Sequence, residues 1–119
     1  MNLIFGTYTK RLSQGLYTAT FEEGHLTQLQ PLLALANPTY LAHHQKALFS
    51  VAQKGNQGGL VCYESGAYLN EVMLPGSAPC HVSVIDHLDL VLAANYHTGT
   101  ITVYDYIPQH GLSLTQTIT

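Results

Sequence analysis

Charged side chains are scarce in this sequence. Asp, Glu, Lys and Arg together make up 9% of its 119 residues, whereas they make up about 25% of an average soluble protein. Lys and Arg number only four and the formal net charge is −3, so the basic surface that binds nucleic acid or anionic membranes is missing. We therefore expect no nucleic-acid partner and no membrane partner. With few charges to solvate a free surface, we also expect neighbouring structure to cover much of it.

Long hydrophobic runs and clustered cysteines are also absent. Apolar runs such as residues 32–36 are far shorter than the about 20 residues of a membrane-spanning helix. The first residues carry no positive charge, so they do not resemble a signal peptide. The two cysteines, Cys62 and Cys80, have neither the spacing of metal ligands nor that of a disulfide framework. These features predict a cytoplasmic protein without a metal site or a cofactor, and with inert thiols.

Short β-strands account for most of the chain. No stretch of eleven or more residues keeps a helical apolar period without interruption by Gly, Pro or β-branched clusters. Alternating or continuous apolar runs between turn signals instead predict eleven strands. These predicted strands cover residues 2–8, 15–21, 26–35, 39–42, 47–53, 59–64, 69–74, 81–85, 88–95, 100–106 and 112–119.

The predicted strands repeat along the chain. Pro38 and Pro79 open similar segments 41 residues apart, and Gly58 and Gly99, which we expect at equivalent turns together with Gly15, are also 41 residues apart. Four strands in about 41 residues is the size of one β-propeller blade. A lone four-stranded sheet has two apolar faces, so neighbouring blades must cover both of them.

The repeat predicts an all-β fold, a partial β-propeller of about three four-stranded antiparallel blades. We place approximate blades at residues 1–35, 36–75 and 76–119 of a single domain. Residues 2–8 match the second strand of the unit, so the first blade lacks its innermost strand. Because closed propellers have at least four blades, we expect the chain to be a fragment of a larger ring.

Several motifs occur in the order found in a known family. These are GTYT at residues 6–9, GLY at 15–17, NPTYLA at 37–42, PCHVSV at 79–84 and ANYHTGT at 94–100. In this arrangement the chain resembles the N-terminal third of the lactonase family of seven-bladed β-propellers. That family includes the bacterial propeller-type 6-phosphogluconolactonases and is similar to fungal carboxymuconate-lactonizing enzymes.

The resemblance implies a function as well as a fold. It implies part of an enzyme that hydrolyses 6-phosphogluconolactone to 6-phosphogluconate in the pentose phosphate pathway, with a small sugar lactone as its partner and no required metal. The catalytic groups of the family are expected beyond Thr119, so we expect little activity from this chain alone. A phosphorylated substrate also demands Arg or Lys, and the sequence meets that demand poorly. Its four cations are all placed by the strand pattern in turns or loops: Lys10, Arg11, Lys46 and Lys54.

Four residues are candidates for substrate binding at the mouth of a central channel. His81 begins a predicted innermost strand, where side chains face the channel, although a role between blades is an equal alternative. Tyr8, Asn95 and Tyr96 lie at the ends of predicted second strands. For the two tyrosines the alternative role is packing or anchoring a loop, and for Asn95 it is a turn conformation.

Two further sequence features do not indicate a ligand site. His43 and His44 are adjacent, so in a strand they point to opposite faces, and we expect them in a solvated turn rather than at a metal. The glycine-rich residues 54–59 predict a hairpin loop rather than a phosphate loop, because no helix follows.

Two alternative functions remain open at this stage. The first is a propeller that serves as a protein-binding scaffold, since fold does not fix function, although the WD signature of many such scaffolds cannot occur in a chain without Trp. The second is an autonomous module that builds a ring from several copies. We expect the chain alone to self-associate or to need the missing blades, because its open blade faces, which we assign to Leu3, Phe5, Leu112 and Leu114, lack a neighbour.

Overall fold

The computed structural model describes residues 1–35 and 37–119. Within these residues the regular structure consists of eleven β-strands and a 3₁₀ helix at Asp86–Leu88. The strands are β1 (Asn2–Phe5), β2 (Gly15–Glu22), β3 (His25–Ala34), β4 (Leu41–His44), β5 (Ala47–Lys54), β6 (Gln57–Glu64), β7 (Ala67–Pro75), β8 (His81–Ile85), β9 (Leu90–Asn95), β10 (Thr100–Ile107) and β11 (Gly111–Ile118).

The strands form three antiparallel sheets in chain order. Sheet 1 is β1-β2-β3, sheet 2 is β4-β5-β6-β7 and sheet 3 is β8-β9-β10-β11. The prediction of an all-β partial propeller, with one strand fewer in its first sheet, is confirmed. In the part of the chain that the structure describes, no helix is long and apolar enough to cross a membrane.

Sheet 2 lies between the other two sheets, and both of its faces are buried. Successive residues of a strand point to opposite faces, and β5 shows the result. Phe49 and Val51 belong to a core shared with sheet 3, whereas Leu48 and Ala52 belong to a core shared with Leu16 of sheet 1. This two-sided burial explains why β5 is apolar almost throughout.

Side-chain hydrogen bonds join sheets 2 and 3 beside the apolar core. The Asn70 amide donates to the Leu112 carbonyl oxygen at 2.8 Å and accepts from the Leu112 N–H at 2.9 Å. Glu64 accepts from the Tyr106 hydroxyl at 2.6 Å and from the Gln109 N–H at 2.9 Å. Polar contacts as well as the apolar core therefore hold the two sheets together.

The prediction of a solvated turn for His44 is wrong. His44 is the last residue of β4 and is buried, and the turn lies one residue later. Its Nδ1 lies 3.1 Å from Asp86 Oδ1 and its Nε2 lies 2.7 Å from Asp89 Oδ1, while its ring packs edge-on against Tyr106. Carboxylates from sheet 3 satisfy the ring nitrogens, so the histidine can be buried between sheets. His43 is exposed, as expected, but it lies in β4 opposite Leu48 and not in a turn.

Three predicted strand and turn positions also need correction. The innermost strand of sheet 2 is β4 and not residues 39–42, because the Thr39 N–H donates to the Asn37 carbonyl in a turn and ladder pairing starts only at Leu41 with Ser50. Gly58 lies inside β6 opposite Gln53 rather than at a turn, because the β5-β6 hairpin closes with only two residues. Gly15 likewise is the first residue of β2 rather than a turn residue. Gly99 does lie in a turn, and residues 54–59 do form a hairpin, with its turn at residues 55–56.

The apolar residues of the open sheet 3 face also differ from those predicted. Leu112 is only 4% exposed and Leu114 packs on the core between sheets 2 and 3, because they point toward sheet 2. The opposite side of sheet 3 presents Ile101 and Ile107, which are 44% and 48% exposed.

Candidate functional site

Connecting segments of all three sheets converge on a cleft of about 580 Å³. Sheet 1 contributes the loop between β1 and β2, sheet 2 contributes the end of β5 and the segment before β4, and sheet 3 contributes the segment before β8 and the turn after β9. The cleft is lined by Tyr8, Lys10, Asn37, Thr39, Gln53, Ser77, Ala78, Pro79, Cys80 and His97.

The sheet 1 side of the cleft is fixed by Thr9 and Asn37. Asn37 Oδ1 accepts from the Thr9 N–H at 2.8 Å, and the Asn37 N–H donates to Thr9 Oγ1 at 3.1 Å. The chain approaches itself closely beside this contact, since a Cβ on Gly6 would lie 1.9 Å from the Pro38 carbonyl oxygen. Only glycine fits at position 6, and the loop that carries Tyr8 is thereby held against the segment before β4.

The sheet 3 side is held by two amide side chains. Gln53 Oε1 accepts from the Ala78 N–H at 2.7 Å, and Asn95 Nδ2 donates to the Ser77 carbonyl oxygen at 2.8 Å. The segment that leads into His81 is therefore fixed from both neighbouring sheets. Buried or partly buried backbone groups outside a ladder need such partners.

The structure places the four predicted substrate-binding residues at one edge of the sheets but not in one pocket. Tyr8 lines the cleft and is 66% exposed, three residues beyond the end of β1 rather than at a strand end. His81 is exposed at the start of β8, as predicted, and its ring lies 4.6 Å from that of Tyr40. Tyr96 is 83% exposed and contacts His97 rather than the cleft.

Asn95 has most of its hydrogen-bonding capacity occupied. Besides donating to Ser77, its Oδ1 accepts from the backbone N–H groups of His97 and Thr98, both at 3.1 Å. This is the pattern of an Asx turn, and it matches the alternative role predicted for Asn95. A direct substrate contact by Asn95 stays a prediction, as it does for the other three residues.

Sequence reasoning did not single out the lining residues Gln53 and His97, and it noted Lys10 only as one of four cations in turns or loops. Lys10 Nζ lies 5.4 Å from the centre of the Tyr8 ring, which suits a cation–π interaction. Each of these three residues lies in or next to a turn or loop that the sequence pattern predicted. Their polar character next to those turns is the signal that could have identified them.

The cleft is electrostatically one-sided. Its lining includes one cation, Lys10, together with His97, hydroxyls, amides and a thiol, and none of the lining residues is Asp or Glu. The two carboxylates of sheet 2 that are closest to ion or hydroxyl partners are engaged elsewhere. The hydroxyl of Tyr106 holds the pKa of Glu64 below its usual range, with help from the Gln109 N–H, and the Lys54 ammonium lowers the pKa of Glu71.

The remaining reactive side chains do not form a second site. Burial, with a smaller contribution from Glu64, raises the pKa of the Cys62 thiol to about 12, so this thiol is not a nucleophile at neutral pH. Cys80 is free and exposed. Within residues 1–35 and 37–119, no group of three or more His, Cys, Asp or Glu side chains is arranged to hold a metal ion.

Comparison with known proteins identifies the family to which this chain belongs. The family model described as Lactonase, 7-bladed beta-propeller, matches residues 2–119. The chain therefore belongs to the lactonase family of seven-bladed β-propellers, and the resemblance inferred from its motifs is confirmed.

Individual relatives agree with this assignment. The chain is 39% identical over 109 residues to a 6-phosphogluconolactonase of Bacillus subtilis, covering 83% of this chain and 31% of the relative. A crystal structure of a Lactobacillus plantarum protein matches with 38% identity and a TM-score of 0.93, over 99% of this chain and 37% of that protein.

A more distant structure supports the fold alone. The periplasmic gluconolactonase PpgL of Pseudomonas aeruginosa is 24% identical to this chain with a TM-score of 0.80, over 99% of this chain and 38% of that protein. The chain thus spans about a third of the length of the relatives that it matches.

Proposed function

We propose that this chain forms three consecutive blades, residues 1–35, 36–75 and 76–119, of an enzyme that hydrolyses sugar lactones. Its substrate is 6-phosphogluconolactone, in the pentose phosphate pathway. The observation that carries this proposal is the cleft, where segments of all three sheets present polar groups and one cation without a carboxylate. Such a lining suits a polyhydroxylated, anionic molecule. The name of the Bacillus subtilis relative supports the same substrate.

In this enzyme the residues of this chain bind the substrate and do not carry out the chemistry. Lactone hydrolysis requires a base that activates water and a donor or cation that stabilises the oxyanion. We assign sugar binding to Tyr8 and His97 in the cleft, and to His81 and Tyr96 at the same edge. Asn95 acts by shaping the turn that carries His97. We assign the catalytic groups to the remaining blades of the ring.

A chimera tests the proposal. This chain replaces the matching segment of the Bacillus subtilis relative, and hydrolysis of 6-phosphogluconolactone is measured against the spontaneous reaction. We expect the chimera to hydrolyse the lactone, because the cleft wall is restored. This chain alone and the relative without its matching segment should both stay near the spontaneous rate.

Two results would contradict the proposal. A chimera that is monodisperse, melts cooperatively and yet is inactive would show that these blades do not build a lactonase cleft. Activity of this chain alone at a rate comparable to the relative's would show that His81 or its neighbours carry the chemistry. A protein-binding scaffold would give the first of these results.

We also propose the cytoplasm as the site of action. The free thiols of Cys62 and Cys80 suit a reducing compartment. Because a structural neighbour is named as periplasmic, cell fractionation of the native source is the deciding measurement.

A further inference from the structure

The four cations of the chain differ sharply in their surroundings. Lys54 Nζ donates to both carboxylate oxygens of Glu71, at 2.7 and 2.9 Å. Lys46 is close enough to Glu64 to lower the pKa of that carboxyl. Lys10 and Arg11, in contrast, form no ion pair with any carboxylate in the described residues. Of these two, only Lys10 lines the cleft.

The Lys10 ammonium is held over the Tyr8 ring, with its nitrogen 5.4 Å from the ring centre. A cation–π contact of this kind contributes about 0.5–1 kcal/mol at an exposed position. It engages one side of the ammonium group and leaves N–H donors on the other side for a ligand. Tyr8 therefore positions the charge without neutralising it.

The surroundings of Lys10 favour an anion over any other ligand. A Lys ammonium is a compact point charge that binds phosphate groups well, and the other polar residues that line the cleft carry hydroxyls, amides, a thiol and an imidazole rather than carboxylates. A cleft of about 580 Å³ also has room for a sugar beside the anion.

We propose that Lys10, positioned by Tyr8, is the subsite that binds the phosphoryl group of a phosphosugar in this cleft. The assignment of the sugar part rests on the proposed function. The assignment of the anion rests on the ion-pair geometry of the four cations, which the sequence pattern had placed alike in turns or loops.

Equilibrium dialysis against the full 119-residue chain tests this subsite, since dialysis measures binding whatever the state of association. The probes are 6-phosphogluconate, gluconate and inorganic phosphate. We expect 6-phosphogluconate to bind about tenfold more tightly than gluconate, which corresponds to about 1.4 kcal/mol. Inorganic phosphate should compete only weakly, because it lacks the sugar contacts.

Variants assign the preference to Lys10. Lys10→Met should abolish the preference for the phosphorylated probe, and Lys10→Arg should retain most of it. Lys46→Met is the matched control, because it removes the same charge next to Glu64 and outside the cleft, and it should leave the preference unchanged. Tyr8→Leu should weaken the preference and Tyr8→Phe should preserve it.

The proposal is overturned if Lys10→Met retains the preference, if the wild-type chain binds the two sugar acids equally, or if it binds neither. It is also overturned if inorganic phosphate displaces 6-phosphogluconate at equal concentration, which would indicate a general anion site. Binding needs no hydrolysis, so an inactive chimera with a Lys10-dependent preference would refute the lactonase function and leave the subsite standing. An active chimera without that dependence would do the reverse.

Discussion

Replacing Asn70 by alanine should loosen the joint between sheets 2 and 3. The Asn70 amide both donates to and accepts from the Leu112 backbone, at 2.8 and 2.9 Å, and Leu112 is only 4% exposed. A buried polar group left without a partner costs about 1–3 kcal/mol. Losing both bonds should therefore lower the free energy of unfolding by about 2–4 kcal/mol, part of which water can restore.

Urea denaturation followed by circular dichroism measures this loss. With a slope of about 2 kcal/mol per molar urea, the midpoint should fall by about 1–2 M. Hydrogen exchange of the Leu112 amide should accelerate in parallel. Asn2→Ala is the matched control: the Asn2 amide oxygen is exposed and 3.4 Å from the Thr20 hydroxyl, so the change should stay within about 0.5 kcal/mol.

Gly111 provides an independent check on the same contact. A Cβ at this position would lie 2.0 Å from Asn70 Oδ1, and the backbone φ is +101°. Gly111→Ala should therefore destabilise wild type more than it destabilises Asn70→Ala, because the second background removes the clash but not the backbone strain. An Asn70→Ala midpoint equal to that of wild type, with unchanged Leu112 exchange, would refute the reasoning.

Three further predictions follow from titratable groups and open faces. The pKa of Glu64 is lowered in the folded state, so its contribution to stability is present above the usual glutamate range and is lost as pH falls through the folded pKa. Glu64→Gln should flatten this loss of stability on the acid side in melts recorded across pH, and an unchanged slope would contradict the prediction. An alkylating reagent at pH 8 should modify Cys80 at once and Cys62 only in denaturant, because Cys62 is buried with a pKa of about 12. Rapid modification of both thiols in the native chain would show that the core is open. The chain should self-associate through the open face of sheet 3, and Ile101→Lys should lower the apparent mass of the assembly in light scattering across a dilution series. A monodisperse wild-type monomer would disprove this self-association.

The sequence by itself determined the strand architecture. Apolar period, turn residues and the offset of 41 residues between Pro38 and Pro79 are local or repeated signals, and they specify short strands whatever lies around them. The repeat of four-stranded units also indicated in advance that both faces of an inner sheet need neighbours. Even the start of β8 at His81 followed from the repeat.

Only the tertiary structure decided what the polar side chains do. His44 meets Asp86 and Asp89 from 42 and 45 residues away, so its burial could not be deduced from its own surroundings in the sequence. Likewise, the cleft position of Lys10 depends on segments of the other two sheets that lie far along the chain. Strand formation depends on periodicity within a few residues, whereas pairing a charge or an amide depends on which distant backbone segments the packed sheets bring within 3 Å or so.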